Sequence, residues 1–273
     1  MTTSDAQLSY VIAQKAGELL LRLREQYVAD HGPELTKDQA NALRDLADAQ
    51  SHTLIAHALE KERPGDAVLS EEGADNADRL TAERVWIVDP LDGTWEYGQV
   101  RADFAVHIAL WHSDTQTLSA CTVDLPGQQL TRSVIDAEPG VHPLPTDRPL
   151  RVVASRSRPP ATMDAIVARL GERLAEAGIT DRGVELVDVG SVGAKVNEIL
   201  SGRAELYVHN TGFYEWDVAA PYGVAVHYGL VPSHFDGSAI TFNHMPPKVS
   251  DLVVTHPQIA VITREVLAEV ASA

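Results

Sequence analysis

A short apolar run, Val85-Trp86-Ile87-Val88, leads without a break into Asp89-Pro90-Leu91-Asp92-Gly93-Thr94. The run is rich in β-forming residues and bounded by turn formers, which predicts a buried strand stopped by Asp89-Pro90. Two acids three residues apart then sit at a strand exit, where proline has fixed the backbone direction, and both can face one point. Hard cations such as Mg²⁺ suit carboxylates together with a backbone carbonyl, and the carbonyl of Leu91 lies between the two acids. Gly93 permits close backbone approach, and Thr94 can open a helix whose free N–H groups bind phosphate oxygens. Taken alone, the hexapeptide is as readily an acidic turn, because Asp, Pro and Gly are common turn residues. The spaced acids and closing glutamate of a helix–loop–helix calcium site are missing.

Around this strand the apolar pattern predicts the other elements. Leu8, Val11, Ile12, Ala16, Leu19 and Leu20 recur at helical spacing over 6–25, and Leu43, Leu46, Ala47, Leu54, Ile55 and Ala58 do so over 40–61. Pro64 and Gly65 end the second helix, and Ala67-Val68-Leu69 predicts a short strand running straight into Ser70-Glu71-Glu72-Gly73. Strands over 104–111 and 118–123, with a turn at Ser113-Asp114, predict an antiparallel sheet. Four prolines and a glycine within 138–149 mark a connector, dividing the chain into halves 1–147 and 148–273. Beyond it, strands 150–155, 184–190 and 204–209 alternate with helices 161–177, 192–201 and 217–228, and a helix over 257–271 closes the chain.

The balance of 39 acids against 22 Lys and Arg, a formal charge of -17, argues against nucleic-acid polymers and anionic membranes as partners. An anionic ligand therefore needs a bound cation or a local group of basic side chains. Arg148, Arg151, Arg156 and Arg158 supply such a group within eleven positions. Arginine suits phosphate or sulfate oxygens, and the plainer reading is a solvated patch offsetting nearby acids. The single Cys121 excludes an intrachain disulfide framework and a multi-cysteine zinc site, and fits a reducing cytoplasm. The amino terminus has an early acid and an amphipathic pattern where a secretory signal needs basic residues and an apolar block. No segment approaches the ~18 apolar residues of a membrane span, so a soluble cytoplasmic protein is expected. The eleven histidines show no H-E-x-x-H pattern and read as structural or surface residues. Gly190-Ser191-Val192-Gly193 lacks the glycine two positions before the serine that a nucleophile elbow needs.

Ser70-Glu71-Glu72-Gly73, then Trp86 to Thr94, then Glu215-Trp216-Asp217-Val218-Ala219-Ala220-Pro221 resemble, in order and spacing, the motifs of the inositol monophosphatase superfamily. The resemblance implies a five-layer αβαβα sandwich of the inositol monophosphatase and fructose-1,6-bisphosphatase type, with metals held where the halves meet. It implies two or three Mg²⁺ ions on Glu71, Asp89, the Leu91 carbonyl, Asp92 and Asp217. It also implies that Asp48 and Thr94, working beside Glu71, orient an attacking water. The Val-Thr pair usual before that acid is replaced here by Arg44-Asp45, which leaves Asp45 as the alternative to Asp48. Electrostatics point the same way, since ionised carboxylates converging in one pocket repel unless cations neutralise them. Such ions favour in-line displacement at phosphorus without a phosphoenzyme.

Ser155-Arg156-Ser157-Arg158 resembles the Ser-Arg-Ser-His stretch of the 3'(2'),5'-bisphosphate nucleotidase (CysQ) branch, with Arg158 in place of the histidine. Glu215 before Trp216-Asp217 points to the same branch. Gly190-Ser191 with Lys195 resembles its sugar- or phosphate-approaching segment, the other reading of Ser191 being a helix N-cap. The implied substrate contacts are Gly93, Thr94, Ser155, Arg156, Ser191, Lys195 and Glu215. The implied substrate is 3'-phosphoadenosine 5'-phosphate, with its 5'-phosphosulfate relative, and the implied setting is sulfate assimilation. Inositol monophosphate and fructose 1,6-bisphosphate are the alternative substrates. Inhibition by Li⁺ and a homodimer also fall within what the superfamily implies. A non-catalytic metal-binding role is the rival from another class, but every expected ligand is present.

Overall fold

The computed structural model describes residues 3–137, 140–156 and 158–272. Glu138 and Pro139 of the connector and Ser157 of the arginine stretch lie outside the described residues.

Two long helices open the chain, α1 (Asp5–His31) and α2 (Lys37–Glu62). Both run further than their apolar spacing predicts, because capping rather than burial sets their starts. Ser4 accepts the N–H of Gln7 at 3.2 Å, and Thr36 and Gln39 form a reciprocal capping box. The last turns of α1 are largely exposed and carry a Tyr27–His31 stack instead of core residues.

The first sheet has the order β1-β2-β3-β4-β5, formed by Ala67–Ser70, Arg84–Asp92, Ala105–His112, Thr117–Leu125 and Leu130–Ser133. Only β1 and β2 pair in parallel, with Ser70 opposite Val88, so Glu71 leaves β1 beside Asp89. The proline expected to stop β2 at Asp89 does not. The strand continues to Asp92 through a register shift against β3 between Asp89 and Asp92. Pro90 sits within that irregularity, where a missing N–H costs no ladder bond. Gly93, in the left-handed conformation at φ 84°, then turns the chain so that Thr94 begins the short α3 (Thr94–Gly98).

The second sheet has the order β10-β12-β8-β6-β7, formed by Val231–Ser233, Leu252–Thr255, Leu206–His209, Leu150–Ser155 and Val184–Val189. Helices α4 (Met163–Glu176), α5 (Val192–Leu200), α6 (Glu215–His227) and α7 (Ala260–Ala271) match the predicted alternation. Strands β5, β10 and β12 and the two-stranded ribbon of β9 (Phe213–Tyr214) and β11 (Lys248–Val249) were not foreseen. At two to four residues each, they are too short to show a period of their own.

Three apolar clusters set the layers. Trp86, Val88, Val106, Ile108 and Leu110 on one face of the first sheet pack with Ile12, Leu20, Leu43 and Ile55 of the helical pair. On the opposite face, Val85, Ile87, Ala109 and Trp111 pack with Val196 of α5, with Ala219 and Val224 of α6, and with Val153 and Tyr207 of the second sheet. The far face of that sheet, with Val152, Leu206 and Val253, is covered by Ile166 and Leu170 of α4 and Val266 and Leu267 of α7. The stacking is therefore αβαβα, as the resemblance implies. Each large side chain buried in this way contributes roughly 1.5–3 kcal/mol. Helices α5 and α6 lie between the sheets, and their first turns point residues into the same pocket as the end of β2. Among the described residues, no helix is long and apolar enough to cross a membrane.

Candidate active site

Asp89 and Asp92 come from the irregular end of β2, and Asp217 comes from the first turn of α6. One carboxylate oxygen from each lies within 4.8 Å of the others. Glu71, leaving β1, and Leu91 complete the wall of a cavity of about 240 Å³. Local hydrogen bonds aim these acids. The N–H of Leu91 donates to Asp89 Oδ1 at 3.0 Å, that of Gly193 to Asp92 Oδ2 at 3.1 Å, and that of Tyr214 to Asp217 Oδ2 at 2.7 Å. The other oxygen of Asp89 is buried and has no hydrogen-bond partner among the described residues. An all-oxygen donor set with an unsatisfied buried carboxylate fits a hard divalent cation such as Mg²⁺.

The electrostatics carry the same message. Burial raises Asp89 well above the usual carboxylate range, and Glu71, Asp92 and Asp217 add to the rise. Burial, then Asp92, pushes Asp217 up to about 7. Glu71 is exposed at the mouth of the cluster, yet partial loss of hydration with help from Asp92 and Glu72 pushes it up to about 7. Without a cation, the cluster is held together partly by protons.

Asp48 is buried on α2, and burial followed by the charges of Glu71 and Glu72 pushes it up to about 8. Its Oδ1 has no partner among the described residues. Asp45 is exposed one turn earlier. Of the two acids considered for the water-positioning role, it is Asp48 that faces the cluster. Gly93 and Thr94 stand half-buried on the pocket wall where β2 gives way to α3.

The rest of the lining is cationic and aromatic. Arg158, Lys195, Tyr207, His209, Phe213, Ser155 and Ser191 form it, with Trp95 at the rim. Burial lowers Lys195 to about 8, and its ammonium contacts the carbonyls of Gly190 and Ser191. Ser191 both lines the pocket and caps α5, accepting the N–H of Ala194 at 2.9 Å. Burial, then Lys195 and Arg158, lowers His209 to about 4, which leaves the imidazole neutral.

Two expected substrate contacts lie elsewhere. Arg156 is paired with Glu96 and Asp103 behind the pocket wall. Glu215 is fully buried and accepts the N–H groups of Asn243 at 2.6 Å and His244 at 2.7 Å, anchoring a loop. Arg148 and Arg151 are likewise spent on Glu205 and Glu185. Of the four clustered arginines, Arg158 is the one in the pocket. Sequence reasoning missed Tyr207 and His209, although their spacing on β8 puts both on one face of the strand. It also left His107 as a structural residue without seeing that it backs Asp92, at 3.3 Å.

Comparison with known proteins adds to the geometry. The model of the inositol monophosphatase family matches residues 2–270. A 3'-phosphoadenosine 5'-phosphate phosphatase of Mycobacterium leprae (strain TN) is 39% identical over 98% of this chain and 94% of its own length. The protein of that name from Mycobacterium bovis (strain ATCC BAA-935 / AF2122/97) is 36% identical over 93% of this chain and 90% of its own. The crystal structure of CysQ from Bacteroides thetaiotaomicron, a bacterial member of the inositol monophosphatase family, superposes with a TM-score of 0.67 at 24% identity, covering 92% of this chain and 96% of that one.

Proposed function

The chain belongs to the inositol monophosphatase family and is a phosphatase within it, and from that premise we propose that it removes the 3'-phosphate of 3'-phosphoadenosine 5'-phosphate in a Mg²⁺-dependent reaction. The observation that carries this reading is one pocket lined by an acidic triad together with Arg158 and Lys195. A bisphosphate needs both, a cation site for the group transferred and fixed positive charge for the group retained. The names of the relatives support the nucleotide as substrate.

In this reading Glu71, Asp89, the Leu91 carbonyl, Asp92 and Asp217 hold the cations. Bound Mg²⁺ supplies charge neutralisation and polarisation at the phosphoryl oxygens. The protein's own residues do the rest. Thr94 and Asp48 orient the attacking water, whose oxygen bonds to phosphorus as the bond from phosphorus to the 3'-oxygen breaks, and the 3'-oxygen takes a proton from solvent to leave as the hydroxyl. With the cations bound and Asp48 ionised, its carboxylate accepts the proton that the water loses. The free N–H groups at the start of α3 face the phosphoryl oxygens. Ser155, Ser191, Lys195 and Arg158 meet the remainder of the substrate. Li⁺ inhibits by competing at the same carboxylates, and the substrate links the chain to sulfate assimilation.

The test is a set of specificity constants, measured with Mg²⁺, for 3'-phosphoadenosine 5'-phosphate, inositol 1-phosphate and fructose 1,6-bisphosphate. The nucleotide is expected to lead clearly. Preference for either sugar ester would overturn the assignment of substrate.

A further inference from the structure

Arg156 bridges two carboxylates from separate elements of the first half. Its Nη1 donates to Glu96 Oε1 at 2.9 Å, and its Nη2 donates to Asp103 Oδ2 at 2.9 Å. Glu96 lies on α3, two residues after Thr94, and lines the pocket. Asp103 Oδ2 also accepts the N–H of Gly190 at 2.9 Å, while its backbone carbonyl accepts that of Ser191 at 3.2 Å. Gly190 is pressed against the same group. A Cβ there would lie 2.5 Å from Glu96 Cγ and 2.8 Å from the Asp103 carbonyl oxygen.

The turn held in this way opens α5. Ser191 caps the helix, and Gly193 donates to Asp92 Oδ2 at 3.1 Å. The carbonyls of Gly190 and Ser191 also hold the ammonium of Lys195. A displacement of the turn would therefore reach an acid of the triad and a cation of the same pocket together.

We propose that Arg156 is a positioning residue that, with Asp103, clamps the turn between β7 and α5 to α3 and so sets the orientation of Asp92 and Lys195 in the pocket. Arg101 also pairs with Asp103, at 3.0 Å, but it is the Arg156 guanidinium that lies between Asp103 and Glu96 and offsets their repulsion. A planar fork can satisfy both carboxylates at once, which a single ammonium cannot do in the same geometry. The clamp is a geometric claim, and it rests on the phosphatase reading only where turnover is its readout.

The experiment compares Arg156→Ala, Arg156→Lys and Asp103→Asn with the wild type at a temperature well below all four melting points. Mg²⁺ alone is titrated by calorimetry, and kcat and KM are measured for 3'-phosphoadenosine 5'-phosphate. Outer groups that orient metal ligands typically change metal affinity about 10–100-fold when removed. Arg156→Ala is expected to weaken Mg²⁺ binding by about 10-fold and to lower kcat, with Arg156→Lys recovering part of each. Asp103→Asn, which keeps an oxygen for Gly190 but loses the charge that draws Arg156, should fall between wild type and Arg156→Ala. Unchanged Mg²⁺ affinity with a lower melting temperature would reduce the group to an ordinary ion pair and overturn the proposal. A rise in KM alone, with Mg²⁺ affinity unchanged, would make Arg156 a substrate contact and overturn it too. If the wild type does not hydrolyse the nucleotide, the function assigned above fails, while the Mg²⁺ titration still decides the clamp.

Discussion

His107 Nε2 stands 3.3 Å from Asp92 Oδ2, fully buried on the side of the carboxylate away from the pocket. Burial lowers the pKa of His107, which disfavours its charged form, and its contact with Asp92 is one of packing, without a hydrogen bond. The space between them is shared with α5, where a Cβ on Gly193 would lie 2.5 Å from His107 Nε2 and 2.8 Å from Val123 Cγ1.

Gly193→Ala should therefore be costly beyond its size. Overpacking of this kind typically costs about 1–3 kcal/mol, whereas alanine in an open helical position would stabilise. The expected result in urea denaturation is a lower midpoint, with weaker Mg²⁺ binding because the N–H to Asp92 is displaced. A higher midpoint would show that the helix has room to move.

Asp89→Asn separates function from stability. Turnover with Mg²⁺ is expected to fall about 100–1000-fold, as for groups that stabilise a developing charge. The metal-free protein should nevertheless melt higher than wild type, because one carboxylate has left a cluster whose members repel. Near-normal turnover would remove Asp89 from the mechanism.

The same repulsion predicts a pH dependence. Asp217, pushed up to about 7, and Asp48, pushed up to about 8, bind protons in the folded protein at a pH where the unfolded chain has released them, while the exposed Glu71 is screened by solvent and adds little. The folded state then holds more protons, so stability falls as pH rises from about 4 to about 8. A tenfold difference in proton affinity is about 1.4 kcal/mol, and a chain of this size loses about 2–4 °C per kcal/mol. Metal-free protein should thus melt at least about 3 °C lower at pH 8 than at pH 5, and saturating Mg²⁺ should remove most of the difference. Melting temperatures across this range, with EDTA and with Mg²⁺, check both parts.

Part of the acidic cluster was legible in the sequence because its residues are close in the chain, whereas Asp217, 125 residues beyond Asp92, was reached only through the motif resemblance. Asp89 and Asp92 sit at one strand end, and the short strand before Glu71 pairs in parallel with that strand. The substrate wall was less legible because its chemistry depends on which partner each charge finds. Arg148, Arg151, Arg156 and Arg158 look alike in the sequence, yet distant acids engage three of them and the fourth faces the pocket. Asp103 has one local partner, Arg101, but the two that tie it to the pocket, Arg156 and Gly190, lie 53 and 87 residues away.

Glu215 illustrates the same limit and gives a further prediction. Its carboxylate holds the N–H groups of Asn243 and His244, and the imidazole of His244 lies 2.8 Å away. Removing a buried acceptor leaves those donors unsatisfied, at a cost of about 1–3 kcal/mol. Glu215→Ala should lower stability in denaturant and reduce activity on the nucleotide and the sugar phosphates by similar factors. A change in the ratio of their specificity constants would instead make Glu215 a selectivity residue.

Arg158 is where selectivity should reside. It lines the pocket, its side chain is exposed, and it makes no ion pair with an acid among the described residues, whereas Arg156 is bound to two. A guanidinium left free beside a carboxylate-rich pocket is available for the phosphate that is not transferred. Hydrogen bonds to charged groups contribute about 1.5–3 kcal/mol, equivalent to roughly 10–150-fold in affinity. Arg158→Ala should raise KM for 3'-phosphoadenosine 5'-phosphate within that range while changing KM for 3'-adenosine monophosphate little, because the latter lacks the second phosphate. Kinetics on the two nucleotides, with kcat measured separately, test this directly. Equal losses on both would place the guanidinium on the phosphate being cleaved.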